Sequence, residues 1–232
     1  MDKLTFLKQY RKSIELVSNE GLLNIENEKI PENWLEIFKE LDKDKRKDKL
    51  IALWTSVCER ELSNTISYLK ENLLDFELII DNGQYAVLYS IKSENDEILY
   101  YEGGLPNNSI YNSEMQQDWL SVPVSIKEFY EKLHNGFYYL PSRAMGLVPL
   151  ERITHFEDYE WGILEELNQP LGINIATTYG FFENGMGGYV AIDLKNSTAD
   201  LATLWFTNDQ PDYNVKFWDV VDEWIVIGLQ DN

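Results

Sequence analysis

The sequence predicts an α+β fold with a mainly antiparallel central sheet flanked by helices and a helical extension at the N-terminus. Residues 1–73 carry apolar side chains at steps of three and four, the period of amphipathic helices. From residue 74 onward, short runs rich in β-branched and aromatic residues are separated by turn residues. With 232 residues and a single cysteine, the chain is long enough to bury a large core without disulfides.

The same change of pattern predicts how the chain is divided. Residues 1–73 are expected to form a helical N-terminal region, and residues 74–120 a β-rich segment followed by a loop. Residues 121–232 form the third segment. The alternative is one continuous domain over residues 74–232.

Three helices are predicted in the N-terminal region. The first covers residues 2–18, and the second begins at Pro31, a residue suited to a first helical turn. The third covers about residues 48–73, and its apolar stripe includes Cys58. A cysteine in such a stripe is expected to be buried and unreactive.

The β-rich part begins with three predicted antiparallel strands, near residues 75–80, 84–91 and 97–102, with the Asn82-Gly83 turn between the first two. A helix is expected from about Pro123 to Gly136. The later elements are strands near 137–140, 146–150, 173–180, 188–194 and 202–208, a short acidic helix or turn at 159–168, and a closing amphipathic helix over 217–229.

The stretch ENGMGGYVAIDL, residues 183–194, has the glycine content of a phosphate-binding loop. A phosphate site of that kind needs a strand, a glycine-rich turn and then the N-terminus of a helix. Here the glycines precede a strand pattern, and the Lys-Ser/Thr pair of a P-loop is absent. The glycines therefore predict a β turn, and Asp193 is expected to be a structural carboxylate at the end of the adjoining strand.

The sequence gives little support for catalysis or for a cofactor. His134 is expected in the last helical turn, where a cationic imidazole would suit the helix dipole, and His155 is expected in a loop. No nucleophile elbow, HExxH motif or Cys/His metal spacing is found in the sequence. A hydrolase that uses clustered carboxylates, with or without a divalent metal, remains the alternative to a non-enzymatic protein.

Charge is distributed unevenly along the chain. The formal net charge is −20, of which −1 belongs to residues 1–73 and −19 to residues 74–232. Such a field repels nucleic acid and attracts cationic partners, although acidity can also serve solubility alone. The N-terminus has no apolar signal region and no run is long enough to span a membrane, so a soluble cytoplasmic protein is expected.

Two acidic segments are the candidate partner-binding sites. In FEDYEWGILEEL and TNDQPDYN, carboxylates alternate with aromatic residues, as in surfaces where aromatics anchor a partner and carboxylates pair with Arg or Lys. The alternative is a pair of solvated loops whose aromatic residues pack into the core. The candidate residues are Glu157, Asp158, Glu160, Trp161, Glu165, Glu166, Asp209, Asp212 and Tyr213.

Four stretches of residues 121–232 resemble SMI1/KNR4-like domains of the SUKH superfamily. VPVSIKEFYEKLHNGF resembles the Pro-led opening helix of that family, and MGLVPLERI resembles the strand and segment after that helix. NGMGGYVAIDL resembles the later glycine turn before a strand, and FWDVVDEWIVIGL resembles the closing helix. The positions that carry the resemblance are Pro123, Phe129, Tyr130, Asn135, Gly136, Gly187, Gly188 and Asp193.

The resemblance implies a core with the bounds 121–232, an α+β fold with a mainly antiparallel sheet, and protein binding rather than catalysis. Many bacterial members of the family are immunity proteins that neutralise a cognate toxin, often a nuclease, by direct binding. It therefore implies a bacterial immunity protein, without a cofactor, whose partner is a cationic nuclease toxin domain. A regulatory or scaffold protein of the same fold is the alternative, as in eukaryotic members. Because immunity surfaces differ between members, the resemblance supplies no binding residues.

Overall fold

The computed structural model describes residues 2–23, 25, 29–106, 113–197 and 200–230. Within them lies one sheet of eleven strands, in which every recorded pair is antiparallel. The strands are β1 (Glu15–Leu16), β2 (Leu73–Asp81), β3 (Gln84–Lys92), β4 (Ile98–Gly104), β5 (Asn135–Tyr139), β6 (Ala144–Leu147), β7 (Thr154–His155), β8 (Thr178–Glu183), β9 (Gly188–Asp193), β10 (Leu201–Phe206) and β11 (Asp212–Lys216).

The strands occur almost in the order of the chain, β1-β2-β3-β4-β5-β6-β8-β9-β10-β11, and β7 pairs with β8 beside this path. Neighbouring strands are mostly sequential in the chain, as antiparallel pairing allows, although the connections from β1 to β2 and from β4 to β5 are long and contain helices. The α-helices are α1 (Lys3–Tyr10), α2 (Asn19–Leu23), α3 (Glu32–Phe38), α4 (Lys43–Cys58), α5 (Ser63–Asn72), α6 (Ser113–Asp118), α7 (Val124–Glu128) and α8 (Phe217–Gln230). The predicted α+β class is confirmed.

The two faces of the sheet are covered differently. Helices α3, α4, α5, α7 and α8 pack on one face and form with it the largest apolar core. On the other face, α1 covers the β2–β4 end through a small cluster that includes Leu7 and Leu88. The segment after β7 covers the β9–β10 end through a third cluster that includes Phe156 and Trp205. Residues from all three segments expected from the sequence contribute to the same sheet.

The first predicted helix is wrong in its second half. Helix α1 ends at Tyr10, and Glu15 and Leu16 instead pair with Ile80 and Ile79 as strand β1. The outer edge of β2 offers unpaired backbone groups, and the chain satisfies them there. Periodicity within residues 2–18 contains no information about that distant edge.

The predicted helix over residues 48–73 is two helices, α4 and α5, separated by a turn. The second begins without a side-chain cap of its own. The carboxylate of Asp222 on α8 supplies the cap, accepting hydrogen bonds from the backbone N–H groups of Asn64 (2.9 Å) and Thr65 (2.8 Å). A cap from a residue so far along the chain explains why the break has no local signal.

Three other predictions of secondary structure need correction. The helix after Pro123 changes from α to π geometry at Phe129–Leu133, and the segment 159–168 contains only a 3₁₀ turn at Gly162–Glu165. The strand expected over 173–180 begins at Thr178, after another 3₁₀ turn. None of the helices in the described ranges is long and apolar enough to cross a bilayer.

Candidate protein-binding surface

The structure brings the two acidic segments together. Gln210 joins them, because its side-chain oxygen accepts from the Asn168 backbone N–H (3.1 Å) and its amide donates to the Glu166 carbonyl (3.0 Å). Nearby, the Tyr213 hydroxyl accepts from the Gly172 backbone N–H (3.2 Å). These bonds place the end of the first segment, at Glu166, beside residues 210–213 of the second. The contact of Trp161 with Trp205 holds the rest of the first segment on the same face of the sheet. We call this region the acidic surface: Glu157, Asp158, Tyr159, Glu160, Glu165, Glu166, Asp209 and Asp212.

All seven carboxylates of the acidic surface are exposed. Asp158 lies 3.7 Å from the Nδ1 atom of His155. For the other six, no Lys, Arg or His nitrogen of the described residues lies within ion-pair distance. The surface therefore presents negative charge that the described part of the protein itself leaves almost unneutralised.

Trp161 does not serve as an exposed anchor, contrary to the role that the sequence suggested. It is only 7% exposed, and its indole N–H donates to the Phe156 carbonyl (2.8 Å). Its ring lies 4.7 Å from Phe156 and 5.3 Å from Trp205, centroid to centroid. Burial of the large ring against these neighbours stabilises the segment more than exposure would, so Trp161 supports the surface from beneath.

Tyr159 is the exposed aromatic residue of this surface, although the sequence did not single it out. It is 55% exposed, its ring lies 5.8 Å from that of Trp161, and Asp158 and Glu160 flank it in the chain. The acidic neighbours of Tyr159 in the chain do not show which of the two rings, that of Tyr159 or that of Trp161, is buried. The third cluster, which includes Phe156 and Trp205, buries the ring of Trp161 and leaves that of Tyr159 exposed.

Asp212 and Tyr213 lie on strand β11, where the sequence predicted no strand. The strand has an alternating pattern of exposed and half-buried residues, and Asp212 is on the exposed side. Tyr213 is half-buried and holds Gly172 through its hydroxyl, so it positions the surface rather than standing out from it. Asp209 is exposed in the turn that precedes the strand.

The glycine-rich stretch is a β turn between β8 and β9, as the sequence predicts. Gly185 and Gly187 have φ angles of 78° and 81°, which side chains rarely adopt, and Asn184 Oδ1 accepts from the backbone N–H of Gly188 (2.8 Å). The turn leads into strand β9 and not into the N-terminus of a helix. The loop has the geometry of a hairpin and lacks that of a phosphate cradle.

Asp193 is a structural carboxylate, as predicted. It accepts hydrogen bonds from Thr177 Oγ1 (2.6 Å), the Asn174 backbone N–H (2.8 Å) and Asn196 Nδ2 (2.8 Å). Partial burial by itself raises the pKa of Asp193, but these hydrogen bonds outweigh it and hold the pKa below the usual value. The carboxylate joins the end of β9 to the turn before β8.

The predicted cationic state of His134 is wrong. The residue comes directly after the π turn, is fully buried, and burial lowers its pKa to about 3. His155 lies on β7 rather than in a loop, with its ring stacked on Tyr179 at 4.6 Å. Cys58 is buried as predicted, and burial raises the pKa of its thiol far above the usual value, which leaves it unreactive.

No group of three or more His, Cys, Asp or Glu side chains suited to a metal ion occurs among the residues that the structure describes. The acidic surface combines exposed carboxylates, one exposed tyrosine and a packed aromatic support, and its negative charge attracts cationic groups. Comparison of the chain with known family models, with curated proteins and with solved structures gives no match.

Proposed function

We propose that the protein is a non-enzymatic bacterial immunity protein that neutralises a cationic toxin domain, such as a nuclease, by docking it on the acidic surface. The observation that carries the proposal is the junction of two acidic segments into one exposed surface through Gln210. The family resemblance of residues 121–232 suggests the same role.

Charge supports this choice of partner. A nuclease domain is cationic where it contacts nucleic acid, and a surface with a net negative charge is complementary to it. Exposed carboxylates without internal partners lose little when Arg or Lys of a partner approaches, since no ion pair has to be broken first. They also accelerate the encounter at low salt.

Tyr159 provides the apolar contact that charge alone does not. Tyrosine is enriched among residues that dominate binding energy, because it buries a large ring and keeps a hydrogen-bonding hydroxyl. The ring lies beside Trp161, which is fixed in the third core. A rigid support lowers the entropy that is lost when a partner covers the ring.

The test is binding to the protein encoded by the neighbouring gene, measured by calorimetry with both proteins purified. We expect a one-to-one complex whose Kd rises more than about tenfold between about 0.1 M and about 1 M salt, as the Debye length falls from about 10 Å to about 3 Å. Glu157→Lys combined with Glu160→Lys should weaken binding by about tenfold or more, because two attractive charges become repulsive. Tyr159→Ala should weaken it similarly.

Glu71→Lys is the matched control, because Glu71 is exposed on α5, on the helical face of the sheet. Like each of Glu157→Lys and Glu160→Lys, it makes the net charge more positive by two. It should leave the Kd within about twofold of the wild-type value. Absence of a complex at low salt, or equal weakening by Glu71→Lys, would refute docking on the acidic surface. Binding without protection of cells from the partner would instead favour a regulatory or scaffold role.

A further inference from the structure

A cavity of about 1090 Å³ lies at the end of the sheet where β4 ends and β5 begins. The turn between β2 and β3 forms one wall, and the start of α3 and the residues after β6 form others. The chain has five arginines, and three of them, Arg11, Arg143 and Arg152, line this cavity. Lys29 also lines the cavity, together with five carboxylates, those of Glu32, Asp81, Glu102, Glu131 and Glu151.

Arg11 is the most buried of the three, at 5% exposure. Its Nε lies 3.5 Å from Asp81 Oδ2, and its Nη2 lies 3.8 Å from Glu102 Oε2. Glu102 is 8% exposed, and neither its Oε2 nor Arg11 Nη2 has a hydrogen bond to the described protein. A buried donor and a buried acceptor without hydrogen bonds are costly, and a polar group placed beside this long ion pair would remove that cost.

A chain of contacts connects Arg11 to the other two arginines. The Tyr138 hydroxyl donates to Glu102 Oε1 (2.7 Å), and the Arg152 guanidinium lies over the Tyr138 ring at 5.5 Å. Arg152 Nη2 donates in turn to the Arg143 carbonyl (2.9 Å). The tyrosine ring and the carbonyl fix the guanidinium of Arg152 in the wall of the cavity.

Among the described residues, the carboxylates that line the cavity form no ion pair with Arg143 or Arg152. Glu131 accepts from the indole N–H of Trp119 (2.8 Å), and Glu151 accepts from the side-chain amide of Asn135 (2.9 Å). Within the described ranges, no carboxylate oxygen lies within 4.0 Å of either guanidinium. Neither guanidinium is therefore held in an ion pair, and the charge of Arg143 acts on Glu102 only at longer range.

We propose that this cavity binds a small molecule through an oxyanion group, a phosphate or a carboxylate, held by Arg143, Arg152 and the Nη2 atom of Arg11. Guanidinium groups match the planar and tetrahedral oxyanions through paired N–H donors. The volume suits a small-molecule ligand, which binds in clefts of several hundred Å³ or more. The site is independent of the proposed immunity function and shares no residue with the acidic surface.

Glu102 gives the ligand a second contact. Burial raises the pKa of Glu102, with hydrogen bonding from Tyr138 and the charge of Arg11 acting in the opposite direction. Arg11 Nη2 and Glu102 Oε2 are 3.8 Å apart. Whether Glu102 is protonated or ionised, a ligand hydroxyl beside these two atoms can hydrogen-bond to both of them. The site therefore favours an oxyanion that carries a neighbouring hydroxyl group.

The test is calorimetric titration of the full chain with inorganic phosphate and, separately, with citrate, which carries three carboxylates and a hydroxyl. Sodium chloride keeps the ionic strength constant, because added salt alone screens the large net charge of the protein. We expect saturable one-to-one binding of at least one probe, and the stronger probe identifies the preferred oxyanion. Arg143→Gln should raise its Kd about tenfold, the effect of losing one charge-assisted contact.

Arg60→Gln is the matched control, since Arg60 is exposed and lies outside the cavity. It should leave the Kd unchanged while altering the net charge equally. Arg152→Gln is a second cavity variant that removes the guanidinium over Tyr138 and should act like Arg143→Gln. Absence of saturable binding of both probes, or equal Kd values for the cavity variants and Arg60→Gln, would overturn the proposal.

Discussion

His134 should make the stability of the protein depend on pH between about pH 5 and about pH 7.5. Its Nδ1 hydrogen-bonds the Gly104 carbonyl (2.9 Å), and its Nε2 hydrogen-bonds the Tyr89 hydroxyl (2.7 Å). That hydroxyl accepts from the indole N–H of Trp54 (3.1 Å), so its own proton is free to point at Nε2. The network is complete when the ring is neutral with its proton on Nδ1.

The sign and size of the effect depend on the pKa of the ring. Burial lowers the pKa of His134 from 6.5 to about 3, while the bond to the Gly104 carbonyl opposes this. Between these values the unfolded chain binds a proton that the folded protein excludes, so stability rises with pH through this window and falls as pH decreases. From about pH 7.5 to about pH 5 the loss is about 2 kcal/mol, because the folded ring stays neutral throughout.

The assay is urea unfolding of the wild type and His134→Gln at both pH values. Many carboxylates also begin to titrate near pH 5, and comparing the two proteins removes their shared contribution. His134→Gln should be less stable at both pH values, with a deficit that is smaller by about 2 kcal/mol at about pH 5. Equal deficits at the two pH values would refute the reasoning.

A spectroscopic measurement on the wild type covers the case in which His134→Gln does not fold. In ¹⁵N-labelled protein, the His134 ring should keep the neutral Nδ1–H form down to about pH 4, because protonation requires a buried charge. Titration of this ring near pH 6.5 in the folded protein would contradict its burial and its hydrogen bonds.

Three further substitutions test the packing by urea unfolding at neutral pH. Asp222→Ala should cost about 3 kcal/mol, because it leaves the first N–H groups of α5 without their acceptor, whereas the exposed Asp219→Ala on the same helix should cost a few tenths. Gly187→Ala should cost about 1–2 kcal/mol, since its φ of 81° strains any side chain, whereas Gly162→Ala meets open space and should be nearly neutral. Gly103→Ala should cost about 2 kcal/mol or more, because the new methyl group would lie 2.5 Å from a buried histidine ring.

Most of the longer strands after residue 73 and the closing helix could be predicted because their signals are local, whereas β7 and β11 were not predicted. The β-rich runs on either side of the Asn82-Gly83 turn predict β2 and β3, and the amphipathic pattern near the C-terminus predicts α8. The turn at Gly187 could also be predicted, since the next residues have a strand pattern. Each of these features depends on residues within about a dozen positions of one another.

The candidate surface could be predicted only in part. Its carboxylates stand out as acidic runs between aromatic residues, and those that the sequence selected are exposed. The sequence could not predict that Tyr159 is the exposed ring and Trp161 the buried one. That outcome depends on which ring packs against Trp205 on the face of the sheet. The joining role of Gln210 depends on a contact with a segment more than forty residues away.

By itself, the sequence determined the fold class, the acidic character of the C-terminal two thirds and the elements whose hydrophobic period is strong. Tertiary structure alone decided that Glu15 and Leu16 form a strand, that Asp222 caps α5, and that Arg11 meets Arg143 and Arg152 around one cavity. The physical reason is the range of the interactions. Periodicity records which side of an element is buried, whereas hydrogen bonds and charges between distant segments exist only after the sheet has brought those segments together.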